Sequence, residues 1–207
     1  MTPGRIDVLV TGAEERQGLA VIRSLGQRGL RVLACGSTDT ALGFRSKFAA
    51  GSAVYPRPTG DMLPFARRIA DLVRQHGVRV VMPAVESTVI ALDAHRELFD
   101  DETILALPPS NVLATALDKR KTYEICGELD IAAPASCYPA SIEEALAFAG
   151  EVGYPIVLKP PAQATYRTAG TDFGFKVRYA FDADQLRSHL AVFEISGAFP
   201  IMQQYCG

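Results

Sequence analysis

The chain has 207 residues, 48% of them hydrophobic, and a formal net charge of −2, so it can bury a real core as one large domain or two small ones. No Lys/Arg block marks a nucleic-acid surface, no apolar run approaches the ~20 residues of a membrane span, and no charged and apolar leader opens the sequence. Cys35, Cys126, Cys137 and Cys206 form no C-x-x-C pair, which argues against a zinc site or redox couple and for reduced cysteines in a cytoplasmic protein.

Ile6 to Val10 reads as a first strand and runs into Thr11-Gly12-Ala13-Glu14-Glu15-Arg16-Gln17-Gly18. A helix with Leu19, Val21, Ile22 and Leu25 facing inward follows, Gly29 ends it, and Leu30 to Ala34 is a second strand. Strand, glycine turn, helix and strand make a right-handed βαβ unit. Asp39 lies near the ~20-residue offset of a ribose-binding acid. The spacing is G-x5-G, however, and Glu14 and Glu15 put negative charge where a pyrophosphate would sit, so the turn reads either as structural or as a nucleotide site.

Phe44 to Tyr55 carries a short polar-apolar stretch, Ser46-Lys47-Phe48, and Pro56 and Pro58 follow as a linker. Asp61 can cap a helix that tolerates Pro64 in its first turn and buries Phe65, Ile69, Leu72 and Val73 before Gly77. Val78 to Met82 is a strand ended by Pro83. Glu86 follows at its carboxyl end, where open α/β sheets place ligands, or where an acid simply favours a helix N-terminus. Thr103 to Leu107 is a short strand, and Pro108-Pro109 marks a boundary between residues 1–109 and 110–207. His76, His95 and His189 are far apart in sequence and read as surface or packing residues.

Ser110 reads as a helix cap. Asp118-Lys119-Arg120-Lys121-Thr122-Tyr123 opens another helix with cations where the dipole disfavours them, which reads as a solvated basic turn or as an anion site. Ser141-Ile142-Glu143-Glu144 is a capping box for a helix running to Gly150. Gly153-Tyr154-Pro155-Ile156-Val157-Leu158-Lys159-Pro160-Pro161 then holds a buried strand that ends on a lysine. An ammonium in that position needs a partner, either a carboxylate or a phosphate. A polar loop from Gln163 to Asp172 follows, then a strand from Phe173 to Tyr179 that can pair back. Asp182 caps a helix with Leu186, Leu190 and Phe193 inward, and Pro200 to Tyr205 is a final strand.

The ordered set of Asp118-Lys119, Pro134, the capping box, G-Y-P-I-V-L-K-P, the hydroxyl-rich loop and I-M-Q-Q-Y-C-G resembles the first half of an ATP-grasp domain. Residues 1–109 resemble the Rossmann-like domain that precedes it in that superfamily. The resemblance implies an α/β fold: a parallel-sheet preceding domain followed by the α+β first subdomain of the ATP-grasp fold, truncated after the hinge strand. It implies ATP and Mg2+ as cofactors. Lys119 and Lys159 take the places of phosphate-contacting lysines. Thr165, Thr168 and Gly170 fall in the loop over the triphosphate, and Gln203, Gln204, Tyr205 and Cys206 fall in the hinge that holds adenine. Glu86 is a candidate substrate contact.

The implied activity is that of an ATP-dependent ligase, which activates a carboxylate as an acylphosphate for attack by an amine or sometimes a thiol. Its partners are small molecules, with a homo-oligomer allowed and no nucleic acid or membrane. The loop departs from the family in having few glycines, only Gly170 and Gly174. The chain also stops after the hinge, before the strands that carry the family's metal ligands. It therefore reads as part of a longer protein, inactive by itself, with metal ligands in the missing half and no catalytic residue assigned. An NAD(P)-binding Rossmann module and a non-catalytic nucleotide-binding module are the alternatives.

Overall fold

A computed structural model describes residues 5–160, 177–194 and 199–207. The chain divides into two compact units, Met1–Ser110 and Asn111–Gly207.

In the first unit β1 (Val8–Val10), α1 (Arg16–Gln27), β2 (Val32–Gly36), β3 (Ala49–Val54), α2 (Leu63–His76), β4 (Val80–Met82), α3 (Glu86–Asp93) and β5 (Ile104–Leu105) follow in order. The strands form one sheet in the order β3-β2-β1-β4-β5, with every neighbouring pair parallel. β1 lies at the centre and pairs through Val8 with both Val32 and Val80. A central parallel strand is covered on both faces, and this is why β1 is apolar without alternation. One face packs Leu9, Leu33 and Val81 against Phe65, Ile69 and Leu72 of α2 and Ala91 and Leu92 of α3. The other packs Val8, Val10, Val32 and Ala34 against Ile22 of α1. The unit is therefore a doubly wound sheet, and its strand order reverses between β1 and β4.

Several local readings change. β3 is a strand within the Phe44 to Tyr55 stretch, and its pairing with β2 shifts register after Ala49. Its residues alternate between half-buried and exposed, and as an edge strand of small residues it lacks the β-branched run that marks a strand. Asp61 accepts a hydrogen bond from Leu63 N (3.0 Å), although Met62 is the residue at the cap position. Ser110 is the first residue of the next helix, and its hydroxyl donates to Asp93 Oδ1 (2.8 Å).

The second unit continues that helix, α4 (Ser110–Leu117), and adds α5 (Lys119–Glu128), β6 (Ser136–Cys137), α6 (Ile142–Val152), β7 (Ile156–Lys159), β8 (Arg178–Ala180), α7 (Ala183–Glu194) and β9 (Ile201–Gln204). Its sheet has the order β6-β9-β7-β8 and is antiparallel throughout. Ile156, Leu158, Ala180 and Met202 share one face and pack on Ala145 and Ala149 of α6 and Leu186, Leu190 and Phe193 of α7. Each of the later helices carries its own start signal. Asp118 accepts from Arg120 N and Lys121 N, Ser141 Oγ accepts from Glu144 N, and Asp182 accepts from Gln185 N. α6 runs past Gly150, the expected stop, which sits at an exposed helical position. Glycine in an exposed helical position costs only its propensity, ~1 kcal/mol. The helix ends at Gly153, whose φ is +80°. No helix among the described residues is long and apolar enough to cross a membrane.

Candidate functional site

Two places bring the candidate residues together, one in each unit. In the first unit the loops after β1 and β4 meet where the strand order reverses, the position at which open α/β sheets receive ligands. Gly12 stands there with φ +73°. Gly18, at the start of α1, lies against it so closely that a Cβ on Gly18 would come 2.0 Å from the Gly12 carbonyl oxygen. The two glycines are therefore required for turn and helix to approach each other.

Several polar groups of this turn are spent internally. Gly12 N donates to the Tyr55 hydroxyl (2.9 Å), Ala13 N to Cys35 O (3.0 Å) and Glu15 N to Gly12 O (3.0 Å). The buried Thr11 hydroxyl bonds that of Thr88 (2.8 Å), and Glu14 Oε1 accepts from the Ser37 hydroxyl (2.6 Å). Burial first, then the nearby Glu14 carboxylate, push the Tyr55 phenol up, so it stays a neutral hydroxyl. A pyrophosphate needs free backbone N–H groups at such a turn. Here three of them already have partners and Glu14 adds negative charge, which favours the structural reading over the dinucleotide one. Asp39 is exposed. Glu86 opens α3 at the same strand end and is half-buried.

In the second unit the antiparallel register decides what meets. Val157 pairs with Gln203, Lys159 with Ile201, and Ser136 with Gln203. Paired residues share a face, so Lys159, Gln203 and Ser136 stand together opposite the helix-covered face. Lys159 and Gln203 are diagonal neighbours, within reach of long side chains. Lys159 Nζ donates to Gln203 Oε1 (2.6 Å), Gln203 Nε2 donates to Ser136 Oγ (2.8 Å), and the Ser136 hydroxyl donates to Pro134 O (2.9 Å). Gln203 is 1% exposed, so its amide is held in a dry setting where unpaired groups are costly. The lysine's partner among the described residues is thus a neutral amide, which satisfies one N–H and leaves the positive charge uncancelled.

The other candidates are distributed less tightly. Lys119 is half-buried at the first position of α5. The next residue reaches the sheet: the Arg120 guanidinium lies 4.4 Å from the centroid of the Tyr138 ring. Arg120, Tyr138, Ser136, Tyr123 and Ile131 line a cleft of about 320 Å³. The Tyr138 hydroxyl is buried there without a hydrogen-bond partner among the described residues, and desolvation, opposed by Arg120, pushes its phenol up. Gln204 falls on the face opposite Gln203, and its backbone N–H donates to Ala135 O (2.9 Å). Tyr205 is exposed, with its ring 6.2 Å from that of Tyr179, and Cys206 is exposed and free. Thr165, Thr168 and Gly170 lie outside the described residues.

Sequence reasoning missed Ser136, and it placed Arg120 in the basic helix start without its contact to Tyr138. The signal available for Arg120 was its place among the cations of the helix that Asp118 caps. Ser136 carried no signal, because its role depends on pairing with a strand 67 residues away.

No family model matches the chain. A formate-dependent phosphoribosylglycinamide formyltransferase of Synechococcus sp. (strain CC9605) is 28% identical over 156 residues, 74% of this chain and 36% of that protein. Among solved structures, N5-carboxyaminoimidazole ribonucleotide synthetase from Thermus thermophilus matches with a TM-score of 0.64 at 16% identity, over 97% of this chain and 47% of that one. The biotin carboxylase domain of Hydrogenobacter thermophilus 2-oxoglutarate carboxylase, solved with MgADP, ADP and bicarbonate, matches with a TM-score of 0.61 at 17% identity over 97% of this chain and 44% of that one. The chain thus spans less than half the length of these proteins.

Proposed function

From a chain that carries the amino-terminal half of an ATP-grasp fold, we propose that the natural-length protein is an ATP-dependent enzyme that activates a carboxylate as an acylphosphate for attack by an amine or related nucleophile. The observation that carries this reading is the Lys159 ammonium at the end of β7, fixed by the neutral Gln203 with its charge uncancelled by that partner. A charge held in this way is ready for an anion. The structural relatives include proteins solved with ADP, and the phosphate chain of ATP supplies such an anion.

In the proposed reaction the substrate carboxylate oxygen attacks the γ-phosphorus and the bond to the β-phosphate oxygen breaks, giving acylphosphate and ADP. The amine then attacks the acyl carbon, and inorganic phosphate leaves. Phosphoryl transfer asks the protein for positioning and charge neutralisation, and Lys159 contributes both from this chain. Lys119, at the head of α5, and the hinge residues Gln204, Tyr205 and Cys206 are proposed as further nucleotide contacts, and Glu86 as a substrate contact from the first unit. Among the described residues no group of three or more His, Cys, Asp or Glu is placed to hold a metal ion. We assign magnesium's protein ligands to the rest of the natural-length protein. Its free cysteines fit the reducing cytoplasm.

The test is ATP affinity in the natural-length protein. Losing a charge-assisted contact costs ~1.5–3 kcal/mol, so Lys159→Ala weakens ATP binding by ~10- to 150-fold. An unchanged affinity overturns the reading.

A further inference from the structure

Resting on that nucleotide reading, we infer that Ser136 is a positioning residue that acts on Lys159 through Gln203. The direction of each hydrogen bond follows from what each group can do. The Pro134 carbonyl only accepts, so the Ser136 hydroxyl gives its proton there (2.9 Å). The serine oxygen is then an acceptor, and the group facing it across the strand pair has to be the amide nitrogen of Gln203 (2.8 Å). That leaves the amide oxygen turned toward β7, where it accepts from Lys159 Nζ (2.6 Å).

Without the serine, Lys159 alone holds the amide oxygen in place, and the buried Nε2 loses its acceptor. Flipped by half a turn, the amide would present N–H groups to the ammonium, and donor would face donor. The buried setting raises the cost of a mismatch, because Gln203 is 1% exposed. Ser136 thus anchors the far end of the amide whose oxygen holds the ammonium in one place, and its effect is felt by whatever anion Lys159 binds. The relay acts on charge, so it distinguishes a phosphorylated ligand from its uncharged nucleoside.

The experiment measures the affinities of the natural-length protein for ATP and for adenosine by competition against a fluorescent ATP analogue. Ser136→Ala lowers ATP affinity by about three- to tenfold, the scale of one hydrogen bond, and leaves adenosine affinity unchanged. Ser136→Thr, which keeps the hydroxyl, restores ATP affinity. In a Lys159→Ala background Ser136→Ala has no further effect, since the group it positions is gone. If Lys159→Ala lowers ATP affinity and Ser136→Ala does not, the relay is wrong and the nucleotide reading stands. Equal losses of ATP and adenosine affinity, failure of threonine to rescue, or an additive double variant likewise overturn it by making Ser136 a shaping residue. If Lys159→Ala leaves ATP affinity unchanged, the nucleotide reading falls and the relay with it.

Discussion

The turn after β1 and the end of β7 pose the same question, namely where a polar group at the end of a buried strand finds its partner. After β1 the answer lies inside the protein. Gly12 N is taken by Tyr55, Thr11 by Thr88, and the Glu14 carboxylate by Ser37. At β7 a cation is held by a neutral amide, so geometry is satisfied while charge is not. The glycines of the first place suggest phosphate chemistry and the single lysine of the second does not advertise it, yet the satisfied turn is the structural element and the lysine the better candidate for a ligand. Glycine content alone reports backbone approach. A binding site additionally needs unspent donors or charge.

The comparison breaks most visibly at Gly18. Gly18→Ala drives a methyl group into the Gly12 carbonyl, and overpacking of this kind costs typically ~1–3 kcal/mol, more where backbone has to move. Urea unfolding of the first unit's transition is expected to show a loss at or above the upper end of that range. A loss below 0.5 kcal/mol, roughly the level of an inconsequential surface change, means that turn and helix are not in contact. Tyr55→Phe is the next largest. It leaves the Gly12 N–H buried without its acceptor, a penalty of ~1–3 kcal/mol, and leaves ATP affinity unchanged. Should Tyr55→Phe instead create measurable NADPH binding, the freed N–H has turned a closed turn into a phosphate site, and the hydroxyl is what separates the two. The smallest effect is at the head of α5. Asp118→Ala removes the acceptor for Arg120 N and Lys121 N and costs ~1 kcal/mol of stability, read from the thermal transition. An unchanged transition shows that the capped end is satisfied by solvent.

Much of the architecture was readable because it is written locally. The apolar runs of β1 and β7, the i, i+3, i+4 spacing of Phe65, Ile69, Leu72 and Val73, and the caps at Ser141 and Asp182 each lie within a few residues of what they control. β3 was not readable, since Ala49–Val54 is half-exposed and is a strand only because β2 lies beside it. At the candidate site Lys159 was legible from a strand that ends on a charge. Its partnership with Gln203 was not, because it depends on an antiparallel register joining residues 44 apart. The closure of the glycine turn is hidden for the same reason: its acceptor, Tyr55, comes from beyond β3.

The caps at Asp118, Ser141 and Asp182 have a further consequence, for the order in which the chain folds. α1 and α3 have no side-chain hydrogen bond from their cap residues, so they depend on the sheet beneath them. That sheet assembles by joining Val8 to Val32 and to Val80, and each such closure has to recruit a distant segment before any contact rewards it. Each capped helix of the second unit has its start signal within its own first turn, which lowers the cost of nucleation. Helices α5, α6 and α7 are therefore expected to form early, and the sheets, assembled from distant strands, to follow.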